Sequence, residues 1–296
     1  MSDKKIKNQY ITINEIITNN SCSVENYIYF FSCNFNVLCR LRSSDLIIEP
    51  VFSDPKWDIC EEYLYSDLQY INGKIYMTPS RADSILIYDT NSHEVENIYL
   101  ERSEYFSGFR YKFRKSLVYE DSVIFIPFRY DAIVELNTKT NEVKYYKQWN
   151  EFYKKIYDEP EFYFKENAFI EGNKIFLQSK IDNKIFEFSL INKSIKNCQR
   201  IMEHNLIEKM NHIQTGKDAD KIINAMCDSG ICEYDNQKQI ITMRYTNGQI
   251  KEKHIADSSD QFVDYVNDEF IKNKKKQIYS EDNKLGLEGF IKYVIY

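Results

Sequence analysis

Along most of this chain, short runs of alternating apolar and polar residues are separated by turns rich in Asp, Asn, Ser and Lys. That is the period-two pattern of half-buried β-strands joined by hairpins. The pattern also repeats. Residues 74–95, KIYMTPSRADSILIYDTNSHEV, align without a gap on residues 122–143, SVIFIPFRYDAIVELNTKTNEV, at an offset of 48. Pro79 falls on Pro127, Arg81 on Arg129, Asp83 on Asp131, Thr90 on Thr138 and Val95 on Val143. Each segment reads as an apolar run, a polar loop, a second run and a second turn, as in a β-meander.

The repeat extends in both directions. Upstream, residues 27–42 align at an offset of 47 from residues 74–89, with Ile28 on Ile75, Asn36 on Asp83 and Leu38 on Ile85. Downstream, residues 174–195 align at an offset of 100, with Asn183 on Asp83 and Phe188 on Tyr88. A weaker fifth copy spans 220–245 with a shortened middle turn, its Tyr234-Asp235 set against Tyr88-Asp89. Each copy leaves room for a strand ahead of it, at Asp67–Ile71, Leu117–Glu120 and Ala168–Glu171. With the strand after the second turn, every unit has four strands, the content of one propeller blade. The expected fold is therefore all-β: a β-propeller of about five recognisable four-stranded blades over residues 1–256, with helical additions near the C-terminus.

Two stretches change period. Residues 199–214 place Ile201, Met202, Leu206, Met210 and Ile213 at helical spacing, an amphipathic insertion. Residues 257–276 open on an Asp-Ser-Ser-Asp cap and set Phe262, Val263, Val266 and Phe270 on one face before Lys274-Lys275-Lys276. Residues 257–296 are thus expected as a helical extension packed on the propeller. Asn247-Gly248 is a strong hairpin signal between strands.

The unit NGKIYMTPSRADSILIYDTNSHEV resembles the blades of Kelch and YVTN-type β-propellers, in which a "kiYv" strand is followed by a loop, a "vxvyD" strand and a Thr-Asn-rich turn. The resemblance covers roughly residues 25–245 and implies a fold, not an active site. The Gly-Gly pair typical of Kelch blades is replaced by Thr78-Pro79 and Ile126-Pro127. No blade carries Trp-Asp, and both Trp57 and Trp149 fall in connecting segments.

Composition narrows the function classes. At 296 residues the chain can bury a full core, and 24 Tyr and 19 Phe against 8 Gly and 5 Pro mark it as neither disordered nor collagen-like. Its richness in Ile, Asn, Lys and Tyr fits an AT-rich bacterial genome. A net charge of −6 gives no general affinity for nucleic acid. No apolar stretch approaches a membrane span or the core of a signal peptide, so a cytoplasmic protein with no membrane association is expected. Seven cysteines at irregular spacing fit reduced, mostly buried thiols.

In propellers of this kind, the loop between second and third strands shares a face with the inter-blade connections. Here it carries Asn34 and Asn36, Arg81 and Asp83, Arg129 and Asp131, then Lys180, Asp182 and Asn183. One reading is a funnel of Arg, Lys and Asp/Asn suited to sugar hydroxyls or an anion. The other is that hairpin loops need Asp/Asn and the arginines are solvated neighbours. Asn34, Arg81, Asp83, Arg129, Asp131 and Lys180 are the candidate ligand-binding residues. Tyr105, Phe109 and Tyr111, in the basic-aromatic stretch before the third blade, either stack on a ligand or pack between blades.

Metal and cofactor chemistry find little footing. Cys227 and Cys232 lack a second close Cys/His pair, and His204 and His212 lie two helical turns apart, about 12 Å, too far to share an ion. His93 and His254 stand alone. No phosphate-binding glycine loop or nucleophile elbow is present. The expectation is a non-catalytic binding or scaffold module, with no metal or cofactor, recognising a protein partner or a carbohydrate-like ligand. The alternatives are a lyase or hydrolase acting on a carbohydrate or anionic small molecule at the same face, and an assembly role for an exposed stripe of Phe262, Val266 and Phe270.

Overall fold

The computed structural model describes residues 16, 18, 20–54, 57, 63–103, 111–158, 163–198, 222–235, 237–266 and 268. The amphipathic segment at 199–214, Tyr105, Phe109, Phe270 and the Lys274–Lys276 run lie outside these residues.

Within them the chain forms five four-stranded antiparallel sheets, each an unbroken meander. The first is β1 (Ser21–Val24), β2 (Tyr27–Ser32), β3 (Val37–Arg42) and β4 (Ile47–Phe52). The second is β5 (Tyr65–Ile71), β6 (Lys74–Pro79), β7 (Ser84–Asp89) and β8 (Val95–Tyr99). The third is β9 (Phe113–Tyr119), β10 (Ser122–Pro127), β11 (Ile133–Asn137) and β12 (Val143–Tyr146). The fourth is β13 (Phe169–Glu171), β14 (Lys174–Gln178), β15 (Ile185–Ser189) and β16 (Ile195–Asn197). The fifth is β17 (Ile222–Cys227), β18 (Gly230–Asp235), β19 (Ile240–Tyr245) and β20 (Ile250–His254).

The first strands of the sheets neighbour one another in the order β17, β1, β5, β9, β13. Apolar clusters then fill the spaces between successive sheets. One joins the fifth sheet to the first, a second the first to the second, and two more continue to the third and fourth. Both faces of an inner sheet are therefore buried, and strands such as β10 show no exposed residue at all. An all-β set of four-stranded meanders packed through their first strands is consistent with a β-propeller.

Turn chemistry explains why the meanders close where they do. The β5–β6 turn is Asn72-Gly73, both at positive φ (50° and 81°), the two-residue hairpin whose twist matches the strands. In the β7–β8 turn the Asp89 carboxylate accepts the Asn91 and Ser92 N–H groups, and His93 takes the left-handed conformation. Asn137 repeats this with Lys139 and Thr140, and Asn141 closes the turn.

The structure alters three expectations. First, the fifth repeat is out of phase by one strand. IINAMC is the first strand of its sheet, not the second, so Tyr234-Asp235 ends a second strand while Tyr88-Asp89 ends a third. The cause is local. Asp235 caps its turn as Asp89 does, accepting the Gln237 and Lys238 N–H groups, and that chemistry produced the misleading match. Second, the link between the third and fourth sheets contains a helix, α1 (Gln148–Tyr157), with Trp149 and Tyr153 buried against Tyr163 and Phe164. Third, the described part of the apolar stripe near the C-terminus is not an exposed surface. After the short helix α2 (Ile255–Ser258), Phe262 and Val266 are buried against the first and fifth sheets, and Phe262 meets the Phe35 ring edge-on.

Candidate functional site

Each loop between second and third strands is held by backbone bonds from two directions. The residue just before a sheet's first strand, or close to it, donates its N–H to the loop of the preceding sheet. Tyr63 donates to the Cys33 carbonyl (2.8 Å), Lys112 to Ser80 (2.8 Å) and Tyr163 to Phe128 (3.0 Å). The same lead-in segments accept from their own sheet's loop. Ser80 and Arg81 donate to the Leu64 carbonyl, Phe128 and Arg129 to Lys112, and Lys180 to Tyr163. These loops therefore form a fixed platform, with main-chain polar groups satisfied within it.

Side chains on this platform gather into a cationic and aromatic cluster. The Arg81 guanidinium lies 5.4 Å from the Tyr111 ring centroid, and Arg114, on β9, lies 4.9 Å from the same ring. Arg114 also sits 4.4 Å from the Phe128 ring, and the Lys180 ammonium is 5.7 Å from Phe128. Tyr63 meets Tyr111 edge to face at 6.4 Å. Lys165 joins the group through the backbone: its N–H donates to the Gln178 carbonyl (2.9 Å) while Lys180 donates to Tyr163 (2.9 Å), and burial with the neighbouring Lys180 charge holds the Lys165 ammonium below its ordinary value. Tyr63 and Tyr111 both adopt left-handed backbone, at φ 63° and 61°. Bulky residues rarely do so, and the strain is of order 1 kcal/mol or more at each.

Carboxylates on this face are engaged. Asp83, 66% exposed, bonds the Lys112 ammonium at 2.9 Å. Lys112 also donates to the Arg81 and Ala82 carbonyls. Glu166 holds Arg114 at 3.0 Å. Asp182 takes Lys184 and Tyr157; burial opposes its ionisation, but those hydrogen bonds win and keep the carboxyl below its ordinary value.

The sequence-derived candidates thus separate. Arg81 and Lys180 join one cluster, and Asp83 sits beside it through Lys112. Asp131 is only 2% exposed and lies within the fold. The Arg129 backbone is pinned beside Lys112, and its Nε is buried. Asn34 accepts the Ser32 hydroxyl within its own loop, and buried Asn36 accepts the Leu64 N–H, so both organise the first sheet's loop.

Sequence reading passed over Tyr63, Lys165 and Glu166, and marked Lys112 and Arg114 only as members of the basic-aromatic stretch before the third blade. A signal existed for the first: extended upstream, the 48-residue offset sets Tyr63 on Tyr111. Arg114 and Lys165 carry no repeat signal.

Below the platform, the first strands share a buried polar network. Asp67 on β5, 1% exposed, accepts the Ser116 N–H (2.8 Å) and hydroxyl (3.1 Å) from β9 and the Asn20 side-chain amide. Lys115 approaches it at 3.7 Å. Burial, reinforced by this carboxylate, pushes the Cys22 thiol on β1 up to about 12, so it stays protonated and inert. None of the six described cysteines forms a disulfide, and no group of three or more potential metal ligands occurs among the described residues.

No family model matches the chain, and no curated protein matches it in sequence. Its fold is similar to several solved structures. Virginiamycin B lyase from Staphylococcus aureus is 12% identical with a TM-score of 0.48, over 83% of this chain and 72% of that one. A chain of a nidogen/laminin complex is 6% identical with a TM-score of 0.44, over 83% and 82%. The extracellular domain of a putative one-component system from B. thetaiotaomicron is 11% identical with a TM-score of 0.43, over 83% and 29%. Such distant likeness transfers neither activity nor partner.

Proposed function

We propose that this chain is a non-catalytic binding module, a cytoplasmic propeller of Kelch/YVTN type whose loop face holds a protein partner or a carbohydrate-like ligand. The observation that carries this reading is the platform itself. Repeated backbone bonds fix its loops, and Arg81 and Lys180 of the loops gather with Tyr111 of the lead-in and Arg114 of β9. Preorganised side chains bind without a large ordering cost.

Acid–base catalysis by a lyase or hydrolase on the same face is the weaker reading. It calls for a carboxyl shifted toward neutral pH. Asp83 and Glu166 are each tied to a cation, and Asp182 is shifted the opposite way.

The test is the double variant Arg81→Ala/Arg129→Ala, assayed against glycans and candidate partner proteins that the wild-type chain retains. Loss of the retained ligand with a melting temperature within a few degrees of wild type is the expected result. Full retention would move the binding face elsewhere, and a large fall in melting temperature would return both arginines to structural roles.

A further inference from the structure

Among the described residues, the loop-face cluster has more positive charge than its carboxylates neutralise. Of its cations, Arg114 is matched by Glu166 and Lys112 by Asp83. Arg81, Lys165 and Lys180 have no carboxylate partner among the described residues, in a chain whose net charge is −6. The Arg81 Nε is buried and has no hydrogen-bond acceptor. A buried donor on a charged group is costly to leave unmade, so an acceptor delivered by a ligand would gain more there than on open surface.

The aromatic rings argue for the same chemistry. A neutral sugar is recognised by stacking on an exposed ring face. Here Tyr111 has Arg81 and Arg114 against it, and Phe128, 5% exposed, lies under Arg114 and Lys180. The rings hold the cations in place. The unmatched charges come from the second sheet's loop and from the loop and lead-in of the fourth, with the third sheet's Arg114 against the rings between them, an arrangement suited to more than one anionic group.

We propose that Arg81, Lys165 and Lys180 together bind a small ligand carrying two or more oxyanion groups, carboxylate or phosphate. This rests on the reading of the loop face as the binding face and narrows it. The lowered affinity of Lys165 for its proton fits the site, since the neighbouring Lys180 charge that causes part of it is what an anion would offset. The left-handed Tyr63 and Tyr111, where strain is concentrated, lie in the same cluster.

The test is calorimetric titration of the full chain with citrate and with tripolyphosphate, at low and physiological salt. The variants are Arg81→Ala, Arg81→Gln, Lys180→Ala and, as an opposite-face control, Lys139→Ala, whose ammonium bonds Asp121 in the turn region. Melting curves establish that each is folded. The expected result is saturable binding of at least one anion, weakened about tenfold or more by either Arg81 variant and by Lys180→Ala. Lys139→Ala should leave it unchanged. Selectivity for citrate or for tripolyphosphate would distinguish a carboxylate from a phosphate source.

Equal weakening by Lys139→Ala, or none by Arg81→Ala, would show diffuse attraction and overturn the proposal. So would tighter binding of a glutamate-rich decapeptide, which would make the occupant an acidic protein segment. Binding of a neutral oligosaccharide and of neither anion would overturn the oxyanion assignment while leaving the binding face standing. A ligand retained in full by Arg81→Ala/Arg129→Ala would remove the binding face itself.

Discussion

One repeat position meets two different fates. Asn36, Asp83 and Asp131 occupy equivalent places in successive units, yet Asn36 and Asp131 are buried while Asp83 is exposed on Lys112. A side chain that both shapes a loop and faces a ligand leaves the same trace in a sequence as one that only shapes the loop. Contacts between sheets are still less visible. Glu135 on β11 accepts Lys193 (2.7 Å) from the fourth sheet, together with Tyr146 and the Ser122 hydroxyl. Burial raises its carboxyl, but these hydrogen bonds outweigh burial and hold it below the ordinary 4.5. A depressed folded value means the unfolded state binds the proton more readily. The stabilisation is present above about pH 4.5 and disappears as pH falls through the lowered value. Glu135→Gln is therefore expected to destabilise the protein at pH 7 and to flatten its loss of stability between pH 5 and 3, measured by urea denaturation at each pH. An unchanged acid slope would assign the acid sensitivity to other carboxylates.

Strands were the most legible elements, because alternation and turn chemistry act over a few residues. The expected first strands at 67–71, 117–120 and 168–171 overlap β5, β9 and β13, and Asn247-Gly248 joins β19 to β20. Helix α1 does carry a helical stripe, Trp149, Phe152, Tyr153, Ile156 and Tyr157, but as a basic-aromatic stretch between strand repeats it read as packing between blades, which is where most of those rings lie. The fifth unit was misphased because the Asp-capped turn can end either a second or a third strand. What alternation does not reveal is whether a strand's second face will find a neighbour. Ile28, Ile75, Val123 and Ile175 sit at matching places in β2, β6, β10 and β14 and are buried. Their counterpart in β18, Ile231, is 41% exposed, beside Met226 at 73% on β17. Ile75→Ala should cost about 3 kcal/mol through the cavity it leaves, and Ile231→Ala less than about 1 kcal/mol. Equal costs in chemical denaturation would mean the outer face of the fifth sheet is covered in solution.

At the level of the whole molecule, sequence repetition foretold the all-β architecture, while the expected face of the loops came from the resemblance to known propellers. It could not foretell the cluster on that face, since Arg114 and Lys165 come from first-strand and lead-in positions with no counterpart in other units. The cluster is a product of packing: neighbouring sheets bring unrelated positions within reach of Tyr111 and Phe128. Among the described residues no helix is long and apolar enough to cross a membrane. The fixed loop platform is the proposed place where this protein meets its ligand. Amide hydrogen exchange tests it most directly, compared with and without whichever of citrate, tripolyphosphate, the acidic decapeptide or the neutral oligosaccharide binds. The account predicts slowed exchange confined to residues 80–83, 111–114, 128–131 and 179–183. Protection confined instead to the opposite turns, at residues 72–73, 120–121 and 138–142, would contradict it.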